Sequence, residues 1–496
     1  MSKYIPTIGL EIHAELKTKT KMFCDSLNDP FEKHPNTNVC PVCLGHPGTL
    51  PVMNRSAVEA VLKVGMALNG EIPQFSKFDR KNYFYPDLPK AYQISQYDLP
   101  LIFGGILDGI RLRRIHLEED TARLLHQLPD NLEVTSLKAA PAGRQVKASY
   151  VDYNRAGVPL MELVTEPDIK NADQAVEFAK ALQLILRYLE VSDADMERGQ
   201  MRVEANISIH SRDDESLGTK VEVKNINSFR AVHDAIEYEL QRQQEALEKG
   251  ETIKQETRGW DENKKKTVSQ RSKEEAHDYR YFPETDLPPL DLSSFALGEL
   301  KNSLPELPKE KRARLIIEYD LQPEQAVVLV ADKKVVEYFE NAVSELKTFI
   351  PNAGPRNFQT LFNYLTNDVF GLMAERGTSI SELKLTPENF AELVAMVITE
   401  KVSSRAAKDI LPKILESGED PHELVKAEGL AQVSNEDDLT LVAKIILERY
   451  PKVVADYKKG KSNALQFMVG KAMAELRGSG NPEILQKVFK RILDSV

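Results

Sequence analysis

The stretch IGLEIHAEL, residues 8–16, alternates without interruption. Ile8, Leu10, Ile12, Ala14 and Leu16 fall on one side of an extended chain, and Gly9, Glu11, His13 and Glu15 on the other. A β-strand with one apolar and one ionisable face is the reading. An imidazole flanked by carboxylates leaves two possibilities open: a strand surface turned to water, or the wall of a cation site.

Other segments repeat the pattern. MRVEANISIH (201–210) sets Glu204, Asn206, Ser208 and His210 opposite Val203, Ala205, Ile207 and Ile209. KVEVKNI (220–226) groups Lys220, Glu222 and Lys224, and RIHLEEDTARL (114–124) brings together His116, Glu118, Glu119 and Asp120. If these strands share a sheet, their polar faces form an acidic cradle suited to Mg²⁺. A half-solvated antiparallel sheet is the plain alternative. Helical spacing predicts helices over 55–70 and 171–191, while 78–100 is rich in loop signals, so the first part reads as α+β. The Pro-rich DLPPLDLSS (286–294) ends both periodicities. Beyond it the pattern is helical throughout. Thr386 before Pro387 predicts a helix start, and Ser403 or Ser404 caps the next. The expected division is 1–292, a β-rich domain; 293–405, an all-α domain; and 406–496, a helical tail.

The chain has 496 residues, 42% hydrophobic and 28% charged, with a net charge of −11 at pH 7. No apolar run nears the length of a membrane span, and the N-terminus lacks the pattern of a signal or transit peptide, so a cytoplasmic protein is expected. The acidic balance gives no general attraction to nucleic acid, so contact with RNA must come from a local basic surface. There is no Walker A sequence, kinase signature or dinucleotide glycine pattern.

Three cysteines, Cys24, Cys40 and Cys43, lie near the N-terminus. CPVC (40–43) has the spacing of half a zinc site. A structural zinc ion takes four ligands, so either His34 or His46 completes a set or the thiols are free. RKNYFYPDLPKAYQISQYD (80–98) interleaves tyrosines with Lys81 and Lys90, which suits stacking on RNA ends or a loop pinned by aromatic packing. In the tail, Lys458, Lys459, Lys461, Lys471, Lys487, Lys490 and Arg491 form either a solvated face or an RNA contact.

Taken together, IGLEIHAELKTKTKMF, PNTNVCPVCLGHPGTLPVMN, KFDRKNYFYPDLPKAYQISQYD, HLEEDTARL, VDYNRAGVPLMELVTEPD, VEANISI, EVKNINSF and HDYRYFPETDLPPL resemble the GatB/GatE family, which holds the B subunits of the tRNA-dependent amidotransferases. The resemblance runs through nearly the whole chain, with a YqeY-like tail. It implies a cradle-like β-rich domain, a helical domain and a tRNA-binding helical tail. It also implies transamidation of Glu-tRNA(Gln) or Asp-tRNA(Asn): ATP activates the side-chain carboxylate as an acyl phosphate, and ammonia displaces the phosphate. Ammonia would come from glutamine hydrolysed by the amidase subunit, and a heterotrimer would be completed by the small third subunit. Neither a membrane nor DNA is an expected partner.

By the same resemblance Mg²⁺ is held by His13, Glu119 and Glu162, with Glu11 beside them and Lys81 near the phosphate or ammonia path. Asn154, Arg155, Glu204, Asn206 and Lys224 are implied as nucleotide, tRNA-terminus or channel residues. The chain departs from the family pattern at Ser26, which follows Cys24 where many relatives carry a second cysteine, leaving the zinc set incomplete. Thr285 stands where proline is common, which alters only a loop. The lack of a large insertion resembles the bacterial three-subunit type more than GatE, and the missing presequence disfavours a mitochondrial origin. The competing readings are a noncatalytic tRNA-binding scaffold and a metal-dependent hydrolase acting alone.

Overall fold

The computed structural model describes residues 3–125, 149–213, 216–272, 279–430, 436–461, 463–476 and 480–494. His277 and Asp278, which open the last quoted block, lie outside them. Two compact units are present, Met1–Pro308 and Lys309–Val496.

The opening strand spans Tyr4–Glu15 and lies inside a nine-stranded sheet. One neighbour is Met201–Ser211, followed outward by Val221–Ile226, Glu256–Asp261 and Lys266–Ser272. On the other side come Pro159–Thr165, Ile110–Glu119 and the edge strand Ile102–Phe103. Pairing along this path is antiparallel except where Val221–Ile226 meets Glu256–Asp261.

Alternation then divides the sheet. Ile8, Leu10, Ile12 and Ala14 are fully buried, as are Met161, Leu163, Ala205 and Ile207 on the flanking strands. Against this face pack helices Arg55–Ala67, Ala172–Tyr188 and Phe229–Glu248, contributing Val61, Phe178, Leu182, Val232 and Ile236 to one core. Asn54, Asn171 and Ser228 cap the three helices by accepting hydrogen bonds from backbone N–H groups of the first turn. The first two match the helices expected at 55–70 and 171–191; the third, Phe229–Glu248, is an addition. Its signals are the Ser228 cap and the buried Ala231, Val232, Ala235 and Ile236.

A small three-stranded sheet, Asp79–Asn82, Tyr92–Ser95 and Phe282–Pro283, packs at the end of the Ile110–Glu119 strand, with Ile94 in the apolar core and Lys81 and Ser95 reaching Glu118 on the ionisable face. Gln93 Nε2 donates to the Glu119 carbonyl at 2.6 Å, and the Leu117 N–H donates to Gln96 Oε1 at 3.0 Å, which pins this sheet to the Ile110–Glu119 strand. The segment 78–100 is therefore partly strand.

The expected boundary at 292/293 moves to Pro308. Phe295 is buried in the first core, and Leu297, Leu300, Leu304 and Leu307 pack against it. In the second unit Thr386 and Ser403 cap their helices, accepting from the N–H groups of Asn389 and Ala406. The split expected at 405/406 falls inside helix Ser404–Ser417, whose Ala407, Ile410 and Ile414 are buried. A separate core, from Leu439 to Leu493, is formed by the terminal helices. No helix among the described residues is long and apolar enough to cross a membrane.

Phe178 lies beneath the sheet, only 1% exposed. Phe178→Ala should lower the unfolding free energy by about 3–5 kcal/mol through lost burial and a residual cavity, read by chemical denaturation.

Candidate functional site

Register places ionisable groups in rows across the sheet. His13 lies opposite Glu162 on one side and Arg202 on the other, and Glu162 lies opposite His116. Because directly paired residues project to the same face, one row runs His116, Glu162, His13, Arg202 across neighbouring strands. Glu11 opposite Glu204 begins the next row.

Side-chain contacts show the convergence. His13 Nε2 is 3.2 Å from Glu162 Oε2 and 3.8 Å from Glu118 Oε1, and His116 Nε2 is 3.4 Å from Glu162 Oε2. Ser95 Oγ donates to Glu118 Oε2 at 3.1 Å, and Lys81 Nζ lies 3.8 Å from the same oxygen. Burial opposes a charge on His13, but Glu162, Glu204 and Glu118 outweigh it and raise its pKa to about 9. Burial likewise opposes ionisation of Glu162, yet the imidazoles of His116 and His13 hold its carboxyl well below the usual range. Lys81 is desolvated, but Glu118 and Glu162 keep it firmly an ammonium.

His13, Glu118 and Glu162 present ligand atoms that all lie within 4.8 Å of one another. One imidazole and two carboxylates suit a hard divalent cation that keeps several waters, and the Nδ1 atom of His13 is buried with no hydrogen-bond partner. These residues therefore fit Mg²⁺.

The expected ligand Glu119 does not join them. It follows Glu118 by one residue in a strand, so it projects to the other face, where Lys90 Nζ lies 2.5 Å from Oε1 and the Ile94 N–H donates to the same oxygen at 3.0 Å. There it lines a cavity of about 220 Å³ with Cys24, Cys43, His46, Lys90 and Tyr92. Sequence alternation in HLEE carries the signal: His116 and Glu118 share a parity that Glu119 lacks.

Beside the first cluster Glu11, Glu204 and Glu222 form a second. Burial, then Glu162, Glu204 and Glu222, raises the Glu11 pKa, while Asn206 Nδ2 donates to its Oε1 at 2.8 Å. Lys224 Nζ donates to Glu204 Oε2 at 2.6 Å and lies 3.6 Å from Glu222, offsetting the repulsion. Lys224 sits at a bulge, where the pairing shifts between Val203 and Ala205 and Asn225 adopts φ 61°. Glu204, Asn206 and Lys224 thus do flank the site.

Asn154 does not, and Arg155 meets only the Arg202 end of the His13 row, through Asp120. Asn154 is fully buried, its Oδ1 accepting from the Thr37 and Asn38 N–H groups and its Nδ2 donating to the His34 carbonyl. Arg155 faces Asp120 at 3.6 Å and donates to the Thr121 and Ala122 carbonyls. Both hold loops that border the sheet.

Cys24, Cys40 and Cys43 do converge. Neither His34 nor His46 joins that group; His34 instead pairs with Glu32 at 2.9 Å. Ser26 Oγ lies 3.9 Å from Cys43 Sγ, and the fully buried Lys21 places its Nζ 3.8 Å from the same sulfur. The set is one thiol short of a closed structural zinc site, so the donors do not fit zinc as its four-ligand chemistry requires. In the tail, Lys461 pairs with Asp456, Arg491 with Glu436, and Lys471 lies over the rings of Tyr450 and Phe467. Part of that charge is therefore engaged within the helical unit.

A family model described as the GatB/GatE catalytic domain matches residues 6–297, and one described as the GatB domain matches residues 337–493. The chain is similar to the B subunit of the aspartyl/glutamyl-tRNA(Asn/Gln) amidotransferase of Thermotoga petrophila, 45% identical over an aligned 502 residues covering 99% of each chain. The protein of the same name from Thermoanaerobacter pseudethanolicus is 45% identical with 99% of each chain covered, and that from Thermomicrobium roseum 46% with 98% of each.

The geometry has consequences that can be measured. Glu118→Gln should abolish tight Mn²⁺ or Mg²⁺ binding while Glu119→Gln leaves it in place, measured calorimetrically. Because His13 must lose its proton to ligate a cation, and its pKa is about 9, apparent metal affinity should rise with pH below that value, by about tenfold per unit. In the metal-free protein the sign is opposite: the charged His13 stabilises the fold fully below about pH 6.5, and that contribution is lost as pH rises through about 9. Ser26→Cys should raise bound zinc toward one ion per chain by elemental analysis.

Proposed function

The chain belongs to the GatB/GatE family, and from that premise we propose that it is the transamidating subunit of an aspartyl/glutamyl-tRNA amidotransferase, a carbon–nitrogen ligase. The observation that carries this reading is the pairing, on one sheet face, of an imidazole–dicarboxylate centre (His13, Glu118, Glu162) with a half-buried ammonium, Lys81, 3.8 Å from Glu118.

The substrate carboxylate of Glu-tRNA(Gln), Asp-tRNA(Asn) or both takes the γ-phosphoryl group of ATP, releasing ADP. Ammonia then attacks the acyl carbon, and phosphate leaves with the bonding electrons. His13, Glu118 and Glu162 would hold Mg²⁺, which when bound neutralises charge on the transferring phosphoryl group. Lys81 supplies a second, fixed positive charge beside that position, and its protonation is assured by the carboxylates around it. Such transfer depends mainly on position and charge, so a rigid sheet face is well suited to it. Glu204, Asn206 and Lys224 border the same face through Glu11 and orient a bound substrate from the flank. Glutamine hydrolysed on the amidase subunit would supply the ammonia, and the heterotrimer would be completed by the small third subunit.

The test is amide formation on Glu-tRNA and Asp-tRNA with ATP, Mg²⁺ and glutamine, using this chain assembled with the other two subunits. His13→Ala should lower the rate by about a hundredfold or more while the complex still assembles. Full activity of that variant would overturn the assignment.

A further inference from the structure

The transfer chemistry makes no use of the cysteine cluster, and the cluster poses a question of charge. Lys21 is wholly buried. Its Nζ donates to the Tyr153 carbonyl at 3.2 Å and lies 3.8 Å from Cys43 Sγ, and among the described residues no carboxylate forms an ion pair with it. The opposing charges that act on it are those of Cys43, Cys24 and Cys40. A buried ammonium without an anion beside it is strongly disfavoured, so either a sulfur carries the negative charge or the lysine gives up its proton.

Donors converge on one of the three sulfurs. The Cys40 N–H donates to Cys43 Sγ at 3.1 Å, Lys21 Nζ approaches it at 3.8 Å, and Ser26 Oγ, 3.9 Å away, can turn its proton to the same atom. A thiolate accepts from all of them. A thiol would instead donate to the Cys40 carbonyl at 3.4 Å and leave Lys21 without an anion. The acidity of Cys43 runs the same way: a hydrogen bond from Cys24 and, against burial, the Lys21 charge and the Cys40 N–H hold its thiol well below the ordinary value. The cluster also ties loops together. The Lys21 N–H donates to the Ser26 carbonyl at 2.9 Å and the Met22 N–H to the Gly157 carbonyl at 2.7 Å. Gly157, at φ 85°, passes so close that a Cβ there would stand 3.4 Å from Cys43 Cβ and 3.5 Å from Lys21 Cδ. Past Cys43, Gly45 abuts the Lys90 side chain with no room for a Cβ, so the turn carrying Cys43 also backs the lysine that pairs with Glu119.

We propose that in this chain the Lys21 ammonium takes the part that a metal ion takes in a four-thiol site: it holds Cys43 as a thiolate and closes the loop knot, which is therefore complete without zinc. A thiolate that no metal covers is a nucleophile, so Cys43 is the reactive thiol of the chain, reached by small electrophiles through the cavity of about 220 Å³ that it lines.

The full-length chain provides the test. Zinc is measured by elemental analysis of the protein as purified, and the unfolding temperature with and without a chelator. Iodoacetamide alkylation of Cys43 is followed by mass spectrometry from pH 8 to pH 6, beside a small thiol of ordinary acidity. Burial slows the reaction equally at every pH, so the slope reports the protonation state alone. The expected result is no stoichiometric zinc, no effect of the chelator, and a Cys43 rate constant to within about twofold while that of the reference thiol falls about a hundredfold. Lys21→Met should give Cys43 the steep profile of the reference. One zinc ion per chain, with a lower unfolding temperature once it is chelated, overturns the proposal. So does a steep Cys43 profile in the metal-free wild type, which would put the proton on sulfur, and so does a flat profile in Lys21→Met. If Lys21→Met does not fold, the zinc content and slope of the wild type still decide between thiolate, thiol and metal.

Discussion

The antiparallel register that sets His13 opposite Glu162, and Glu162 opposite His116, is the constraint on which the rest of the first unit depends. Backbone hydrogen bonds fix it along the full length of the Tyr4–Glu15 strand, so the ionisable row is specified by the same ladder that builds the sheet. The apolar face locks that ladder in turn: slipping the Tyr4–Glu15 strand by one residue would turn Ile8, Leu10 and Ile12 outward and drive Glu11 and His13 into the helices. Position at the site is thereby derived from burial on the other face, without a dedicated loop for each ligand.

Gathering charge on one surface carries a cost that the arrangement meets locally. Every buried carboxylate described at the centre has a cationic or donor neighbour: Glu118 has Lys81 and Ser95, Glu162 has two imidazoles, and Glu204 has Lys224. The compensation is incomplete at Glu11, whose pKa is raised by burial and by Glu162, Glu204 and Glu222. A face held in this state is primed for a further cation, since binding one relieves repulsion already present in the folded protein.

Period-two alternation made the central strands, their two faces and the α+β class legible in the sequence, and caps at Thr386 and Ser403 were legible from residue type and the apolar pattern that follows. What alternation could not supply was convergence: nothing in the chain states that residues 13 and 162 are partners. Glu119 lies apart from the His13 cluster because a block-level resemblance transfers a neighbourhood and not a side-chain direction, whereas parity within HLEE places Glu118 there. Asn154 was a candidate through the resemblance alone, and its donors and acceptors are consumed by loop backbone. Helix Phe229–Glu248 was hidden by its many charged positions, and the boundary at Pro308 by short apolar segments that return to the first core.

The adjacency of Glu118 and Glu119 makes one strand a partition between two compartments, one holding the charged centre and the other the cavity beside the cysteines. Both side chains are anchored from their own side, by Ser95 and Lys81 in one case and Lys90 in the other. The segment therefore behaves as a parity-locked ruler. A single inserted or deleted residue before His116 would exchange the compartments of the two carboxylates, while a change of two would preserve their sides and shift them along the strand. A change of one residue in length is therefore accommodated only in the loops beyond the ladder, where no side chain has to change sides.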